Sequence, residues 1–394
     1  MSQHEFDFDT IVDRRGTNCG RWDTMDKKYG KNDLIHLGVA DMDFRSPEPI
    51  IEGFRKCNEH GIYGYTDLSD DFYKSIIRWM KDKHQVETKE EEIVFCPRIN
   101  IASSLCVETL TGEGDQVIIN TPAYGPLYQA IAKNHRDILE SPLRLNGEHY
   151  EIDFEDLEAK ITERTKMYIL CSPHNPVGRV WSKEELLQVG NFCLKHGLIL
   201  FVDEIHGDIV AENQVFTSFL TLPEEIRNIT VTATSLTKTF NVPGVIVSYM
   251  IIPNEEIREK IKEDIDRIGM HNPTIFAVSA VENGYTKCDD WYEAMLDYIN
   301  GNEAYTRKYF AENLPGFHIY PREGTYLLWM NYDALGCSEE ELEHWFLEEA
   351  GVSVYMGTVF QEAGRGYIRV NIASPRALLE EAYERMKQAY GKLA

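Results

Sequence analysis

Between about residues 90 and 255, short apolar runs alternate with longer stretches whose apolar residues recur every three or four positions. Repeated strand-helix units take this form in a sequence. The runs at 93–95, 116–120, 166–171, 198–202, 229–233 and 244–252 predict strands. Several are apolar throughout, as strands are when helices cover both faces of a mostly parallel sheet. The segment WSKEELLQVGNFCLKHG shows the helical half of the pattern. Ser182 and Glu185 fit a capping box, Leu186, Val189 and Cys193 share one face, and Gly197 supplies the stop. A long helical stretch covers about 289–313, after which the order reads strand, strand, helix, strand, strand and a final helix striped by Leu379, Ala382, Met386 and Ala389. These patterns predict an α/β fold with a large domain over 51–290 and a smaller α/β C-terminal domain over 291–394. The first 50 residues join the small domain. No repeat, linker or low-complexity segment separates them.

Composition narrows the function. The 394 residues carry 40 Lys and Arg against 65 Asp and Glu, a net charge of −25. That excess repels phosphate backbones and anionic lipid, so neither nucleic acid nor a membrane surface is expected as a partner. The eight cysteines are scattered without C-x-x-C or ligand spacing, which predicts reduced thiols and no metal site. The N-terminal MSQHEFDFDTIVDRR lacks the basic start and apolar run of a signal peptide, and no apolar stretch approaches the roughly 18 residues of a membrane span. A cytoplasmic protein is expected.

Ligands of open parallel sheets bind outside the carboxyl ends of the strands, so residues just after each predicted strand come first as site candidates. Four such places stand out: Tyr124 in TPAYGP, Asn175 in SPHNPVGR, Asp203 in DEIH and Lys238 in TSLTKTFN. Each alone has a plainer reading. Asp203 could cap a helix, Lys238 could be a solvated surface lysine, Tyr124 could pack in a core or interface, and Asn175-Pro176 could be a turn. Their joint order along the chain is more specific than any one of them.

That order resembles the fold-type I pyridoxal-phosphate (PLP) enzymes of the aspartate aminotransferase superfamily, over nearly the whole chain. Within it, the sequence is most similar to the carbon-sulfur lyase branch, the cystathionine β-lyases of the MalY/PatB type. The segments that carry the likeness are DFDTIVDRRGTNCGRWD, ADMDF at 40–44, HGIYGYT, NTPAYGPLYQAI, CSPHNPVGRVW, VDEIHGDIV, TSLTKTFNVPG and GRGYIRVNIASPR. The resemblance implies a mostly parallel seven-stranded sheet in the PLP-binding large domain. It places Lys238 as the lysine that bonds the cofactor aldehyde, Asp203 against the pyridine nitrogen, Asn175 at the phenolic oxygen and Tyr124 stacked on the ring. Lys238, Tyr124 and Asp203 are the catalytic candidates.

For the cofactor phosphate the likeness implies the backbone amides of Ile99 and Asn100 and the hydroxyls of Ser235 and Thr237. It adds Tyr65, reaching across from the other subunit of a homodimer. His206 joins the cofactor set. Arg369, in GYIRVN, is implied to bind the substrate α-carboxylate, with Asn175, Tyr65 and Ala40 also at the substrate. Two positions depart from the family pattern. Arg98 stands where relatives often carry a small residue, and Ile246 stands where aspartate aminotransferases place a phosphate arginine eight residues after the lysine. The implied activity is α,β-elimination from cystathionine, cysteine or cysteine S-conjugates. The alternatives are an aminotransferase sharing the first steps, and a regulatory binding protein on the same fold.

Overall fold

The computed structural model describes residues 6–393. At its centre is a seven-stranded sheet in the order Ile93–Cys96, Ser248–Ile251, Thr230–Thr234, Ile199–Asp203, Thr165–Cys171, Gln116–Thr121, Asp137–Pro142. Only Ser248–Ile251 runs antiparallel to its neighbours. Both faces are covered, and alternate residues of one strand enter different cores. Val117 and Ile119 meet Met167 and Ile169 under the helices Ile99–Leu110 and Gly125–Lys133. Ile118, Tyr168 and Leu170 point the other way, into the cluster that holds Leu186, Val189 and Cys193 of the helix Lys183–His196. Double-sided burial is why these strands read as unbroken apolar runs. The Ser182 and Glu185 capping box forms, and Gly197 ends the helix at φ 64°.

Two sheet elements differ from the sequence expectation. The strand expected over 244–252 is confined to Ser248–Ile251. Pro243–Val245 forms a 3-10 turn and Ile246 adopts φ 60°, so the chain bends before it can pair. The seventh strand, Asp137–Pro142, pairs with Gln116–Thr121 alone, at the edge of the sheet. Its mixture of exposed and buried positions hid it among loops.

The helix Asp289–Asn313 leads to a second, antiparallel sheet in the order His318–Ile319, Leu327–Asn331, Tyr367–Asn371, Tyr355–Met356. Three short strands follow the helical segment at 339–350, where the sequence pattern indicated two; the extra one, Val352–Ser353, is paired by Ile35–His36 from the N-terminal region. The final helix, Arg376–Ala389, buries Leu379, Ala382, Met386 and Ala389 as its stripe requires. No helix among the described residues is long and apolar enough to cross a membrane.

Residues 37–43 form a strap that crosses from the N-terminal region to the second sheet. The Asn371 side-chain amide donates to the carbonyls of Val39 (2.7 Å) and Asp41 (2.6 Å), and the Asn371 backbone N–H donates to Leu37. The fully buried Arg21 pairs with Asp43 at 2.9 Å, and Arg14 reaches Asp43 at 2.8 Å and Asp41 at 2.6 Å. Burial acts to raise the Asp43 carboxyl, but Arg21 and Arg14 outweigh it and leave it below the ordinary carboxylate value. One apolar cluster runs from Phe8 and Leu37 through Trp79 to Tyr383, so the N-terminal, central and C-terminal parts share a core.

The turn between Tyr355–Met356 and Tyr367–Asn371 depends on two glycines. A Cβ on Gly364 would lie 2.0 Å from the Gly357 carbonyl oxygen, and one on Gly357 would lie 1.9 Å from that of Gly364. Both obstacles are backbone and neither can swing aside. Gly364→Ala is expected to destabilise the protein by about 1–3 kcal/mol or more. Gly20→Ala, with nothing within 4 Å of the added atom, should leave stability unchanged. Urea midpoints of the two variants check this, and an unshifted midpoint for Gly364→Ala contradicts the close approach.

Candidate active site

Four adjacent strands of the central sheet deliver the sequence candidates to one place. Asp203 ends Ile199–Asp203, Asn175 follows Thr165–Cys171, and Tyr124 precedes the helix that follows Gln116–Thr121. Lys238 lies in the short helix Leu236–Thr239, directly after Thr230–Thr234 and capped by Ser235. The carboxyl ends of these parallel strands open on a cavity lined by Ala40, Ile99, Asn100, Tyr124, Asn175, Asp203, His206, Ser235, Thr237, Lys238 and Arg369. Every candidate but one is there. Tyr65 is fully exposed, outside the cavity lining of its own chain.

The second sheet closes the cavity from the opposite side. Arg369 is 2% exposed and donates to the Asn175 side-chain oxygen and the Gly38 carbonyl, each at 2.8 Å. Its guanidinium lies over the rings of Tyr355 (5.1 Å) and Phe360 (4.7 Å). Among the described residues no carboxylate pairs with it, and its Nε has no hydrogen-bond partner. Burial pulls the guanidinium down to about 10, with the nearby tyrosines acting the other way. An arginine held dry without an anion is a ready receptor for a ligand carboxylate.

Lys238 and Asp203 show the same incompleteness. The Lys238 amine donates to the Ala40 carbonyl of the strap, which also accepts from the Tyr326 hydroxyl at 2.9 Å. Burial lowers the amine to about 8; Asp41 and Asp203 oppose the shift and Arg369 adds to it. Asp203, 3% exposed, accepts from the Ile205 N–H at 3.0 Å. Burial raises its carboxyl to about 6, against the pull of that hydrogen bond and of Lys238. His206 is held well below its ordinary value by burial, then by Lys238 and Arg369, so its ring is neutral. Its Nδ1 is buried and unpartnered. Burial raises the Tyr124 hydroxyl, with a hydrogen bond to Asn100 acting against it.

These residues fit the cofactor implied by the sequence resemblance. At one end of the cavity the helix Ile99–Leu110 starts without a capping side chain, and Ser235 and Thr237, with hydroxyls 2.9 Å apart, line the same cavity. That is an anion cradle. Asp203 wants a cationic ring nitrogen, His206 an acceptor or donor, and Arg369 a carboxylate. Among residues missed from the sequence, Tyr326 and Tyr355 matter most. Tyr355 lies directly across the strand pair from Arg369, so a register prediction would have found it; Tyr326 carries no such signal, because its partner Ala40 is 286 residues away.

The charge arrangement makes a prediction for the ligand-free protein. Acylation of Lys238, followed by peptide mass spectrometry over a pH series, should rise through a midpoint near 8, well below that of exposed lysines. Asp203→Asn removes a charge that favours the ammonium and should lower this midpoint. Arg369→Met removes one that disfavours it and should raise it. A midpoint of 10 or above in the unaltered protein contradicts the buried amine.

The chain is similar to known proteins over nearly its whole length. The chain is 36% identical over 383 residues to cystathionine beta-lyase PatB of Bacillus subtilis (strain 168), covering 97% of this chain and 99% of that protein. Among solved structures, a PLP-bound protein of Clostridium difficile 630 superposes with a TM-score of 0.95 at 38% identity, covering 98% and 99% of the two chains. Cystalysin of Treponema denticola, which contains pyridoxal 5'-phosphate, also gives 0.95, at 33% identity over 99% of this chain and 100% of that one. The family model described as aminotransferase class I and II matches residues 32–386. That span takes in every cavity residue from Ala40 to Arg369, and the chain belongs to the aminotransferase class I and II family.

Proposed function

We propose that the protein is a pyridoxal phosphate-dependent carbon-sulfur β-lyase that cleaves cystathionine, cysteine or cysteine S-conjugates to a thiol, pyruvate and ammonia. One observation carries the reading: Arg369, buried without an anionic partner among the described residues, faces the same cavity as a partly buried lysine and a buried carboxylate. Lys238 would hold the cofactor aldehyde, and Asp203 would keep a proton on the pyridine nitrogen. Asn175 and His206 would take the phenolic oxygen and Tyr124 the ring face. The Ile99 and Asn100 amides, with Ser235 and Thr237, would take the phosphate. Bound there, the cofactor supplies a sink for the electron pair left at the substrate Cα.

The protein does the rest. Arg369 binds the α-carboxylate through two parallel donors and so fixes the direction of the Cα–H bond. The Lys238 amine, released from the aldehyde when the substrate amine takes its place, removes the Cα proton. A base with a pKa near 8 is matched to this task, being largely neutral at mildly alkaline pH yet still basic. The pair freed at Cα forms the Cα=Cβ bond as the Cβ–S bond breaks, and sulfur departs with its electrons as a thiolate. The unsaturated amine that remains is hydrolysed to pyruvate and ammonia.

The reading includes a homodimer in which Tyr65 of the partner subunit completes each cavity. Its support is the full exposure of Tyr65, with Ile62 and Tyr63 exposed beside it. A cytoplasmic setting suits the eight free cysteines, five of them buried.

Incubation with cystathionine should yield pyruvate and thiol in equal amounts with no keto acid added. Strict dependence on a keto-acid acceptor would establish a transaminase instead. Lys238→Ala should lower kcat by about 10²- to 10⁴-fold or more, and Arg369→Met should lower kcat/KM by about 10- to 100-fold, measured by pyruvate release. For the shared site, Tyr65→Ala and Lys238→Ala subunits refolded together should regain activity that neither has alone, because each mixed dimer holds one intact cavity. No gain on mixing contradicts the cross-subunit tyrosine.

A further inference from the structure

Among the described residues the cavity is lined by three cationic side chains, Arg98, Lys238 and Arg369, against one carboxylate, Asp203. Two of the three are hydrogen-bonded within the protein. Arg369 donates to Asn175 and Gly38, and Lys238 donates to Ala40. Arg98 is not. It is the N-cap residue of the 12-residue helix Ile99–Leu110, in extended conformation at φ −149° and ψ 148°. Its side chain is exposed at the cavity and enters no ion pair or hydrogen bond among the described residues.

Resting on the proposed cofactor, we propose that the Arg98 guanidinium binds the phosphate of pyridoxal phosphate, beside the Ile99 and Asn100 amides. A phosphate monoester carries about −1.5 to −2 charge near pH 7, whereas a helix N-terminus offers the equivalent of only about +0.5. Ser235 and Thr237 add hydroxyls but no charge. Ile246, which lines the same cavity and occupies the position where the sequence resemblance expects a phosphate arginine, is apolar. Lys238 loses its positive amine to the aldehyde, and Arg369 is taken in the proposed function by the substrate α-carboxylate. Arg98 is therefore the one cation in the lining left to balance the dianion, and its planar fork suits two phosphate oxygens.

The test uses cofactor affinity rather than turnover. Apo-protein is titrated with pyridoxal phosphate and, separately, with pyridoxal, which lacks the phosphate, and the adduct at Lys238 is followed by its visible absorbance. Arg98→Ala should weaken pyridoxal phosphate by about 10- to 100-fold and leave pyridoxal at the level of the unaltered protein, with Arg98→Lys in between. Unchanged affinity for pyridoxal phosphate in Arg98→Ala overturns the inference. So does an equal loss for both ligands, which is what a merely structural role for residue 98 produces. A rise in KM confined to substrates with a second carboxylate, at unchanged cofactor affinity, also overturns it and gives Arg98 to the substrate. Failure of the unaltered protein to form any adduct at Lys238 is a different result, and it removes the proposed function itself.

Discussion

Ionisable groups kept out of water without enough partners are the constraint on which the rest of this molecule depends. Among the described residues Arg369 has no carboxylate, Asp203 has no paired cation at hydrogen-bonding distance and the Lys238 amine has only a backbone carbonyl. Each of these arrangements costs stability, because a buried charge loses its hydration and regains little. Burial shifts each group toward its neutral form, the Lys238 amine down to about 8, the Asp203 carboxyl up to about 6 and the Arg369 guanidinium down to about 10. The proposed cofactor, with its protonated ring nitrogen and its aldehyde, would relieve Asp203 and Lys238, and the carboxylate of an amino-acid substrate would relieve Arg369.

The fold keeps these groups together by holding them from opposite sides. Asp203, Asn175 and Lys238 sit at the ends of parallel strands locked by a core on each face. Arg369 comes from the second sheet, whose strand Tyr367–Asn371 also anchors the strap at residues 37–41. The strap in turn presents Ala40 to Lys238. The N-terminal strap, the central sheet and the C-terminal sheet therefore meet at one backbone carbonyl. The Arg21, Arg14, Asp41 and Asp43 cluster pins the strap, and it places Asp41 where its charge raises the Lys238 amine.

Much of this was legible in the sequence, for definite reasons. Strands buried on both faces announce themselves as apolar runs, and the Ser182 cap and the Gly197 stop are local chemistry that tertiary packing did not override. The four strand-end candidates converge because parallel strands bring their carboxyl ends to one side. What stayed hidden was non-local or ambiguous. The edge strand Asp137–Pro142 carries no two-sided burial to reveal it. The turn at Pro243–Val245 shortened a strand whose apolar residues line the cavity instead. Tyr326 and Gly38 act through partners far away in the chain, and periodicity carries no information about such contacts.

In the proposed function a cofactor bonded to Lys238 completes this cavity. The direct measurement is reduction of the protein with borohydride in the presence of pyridoxal phosphate, followed by mass mapping of its peptides. A single pyridoxyl-phosphate label on the peptide that contains Lys238 is the predicted result. A label on another lysine, or none on this peptide, would contradict the account.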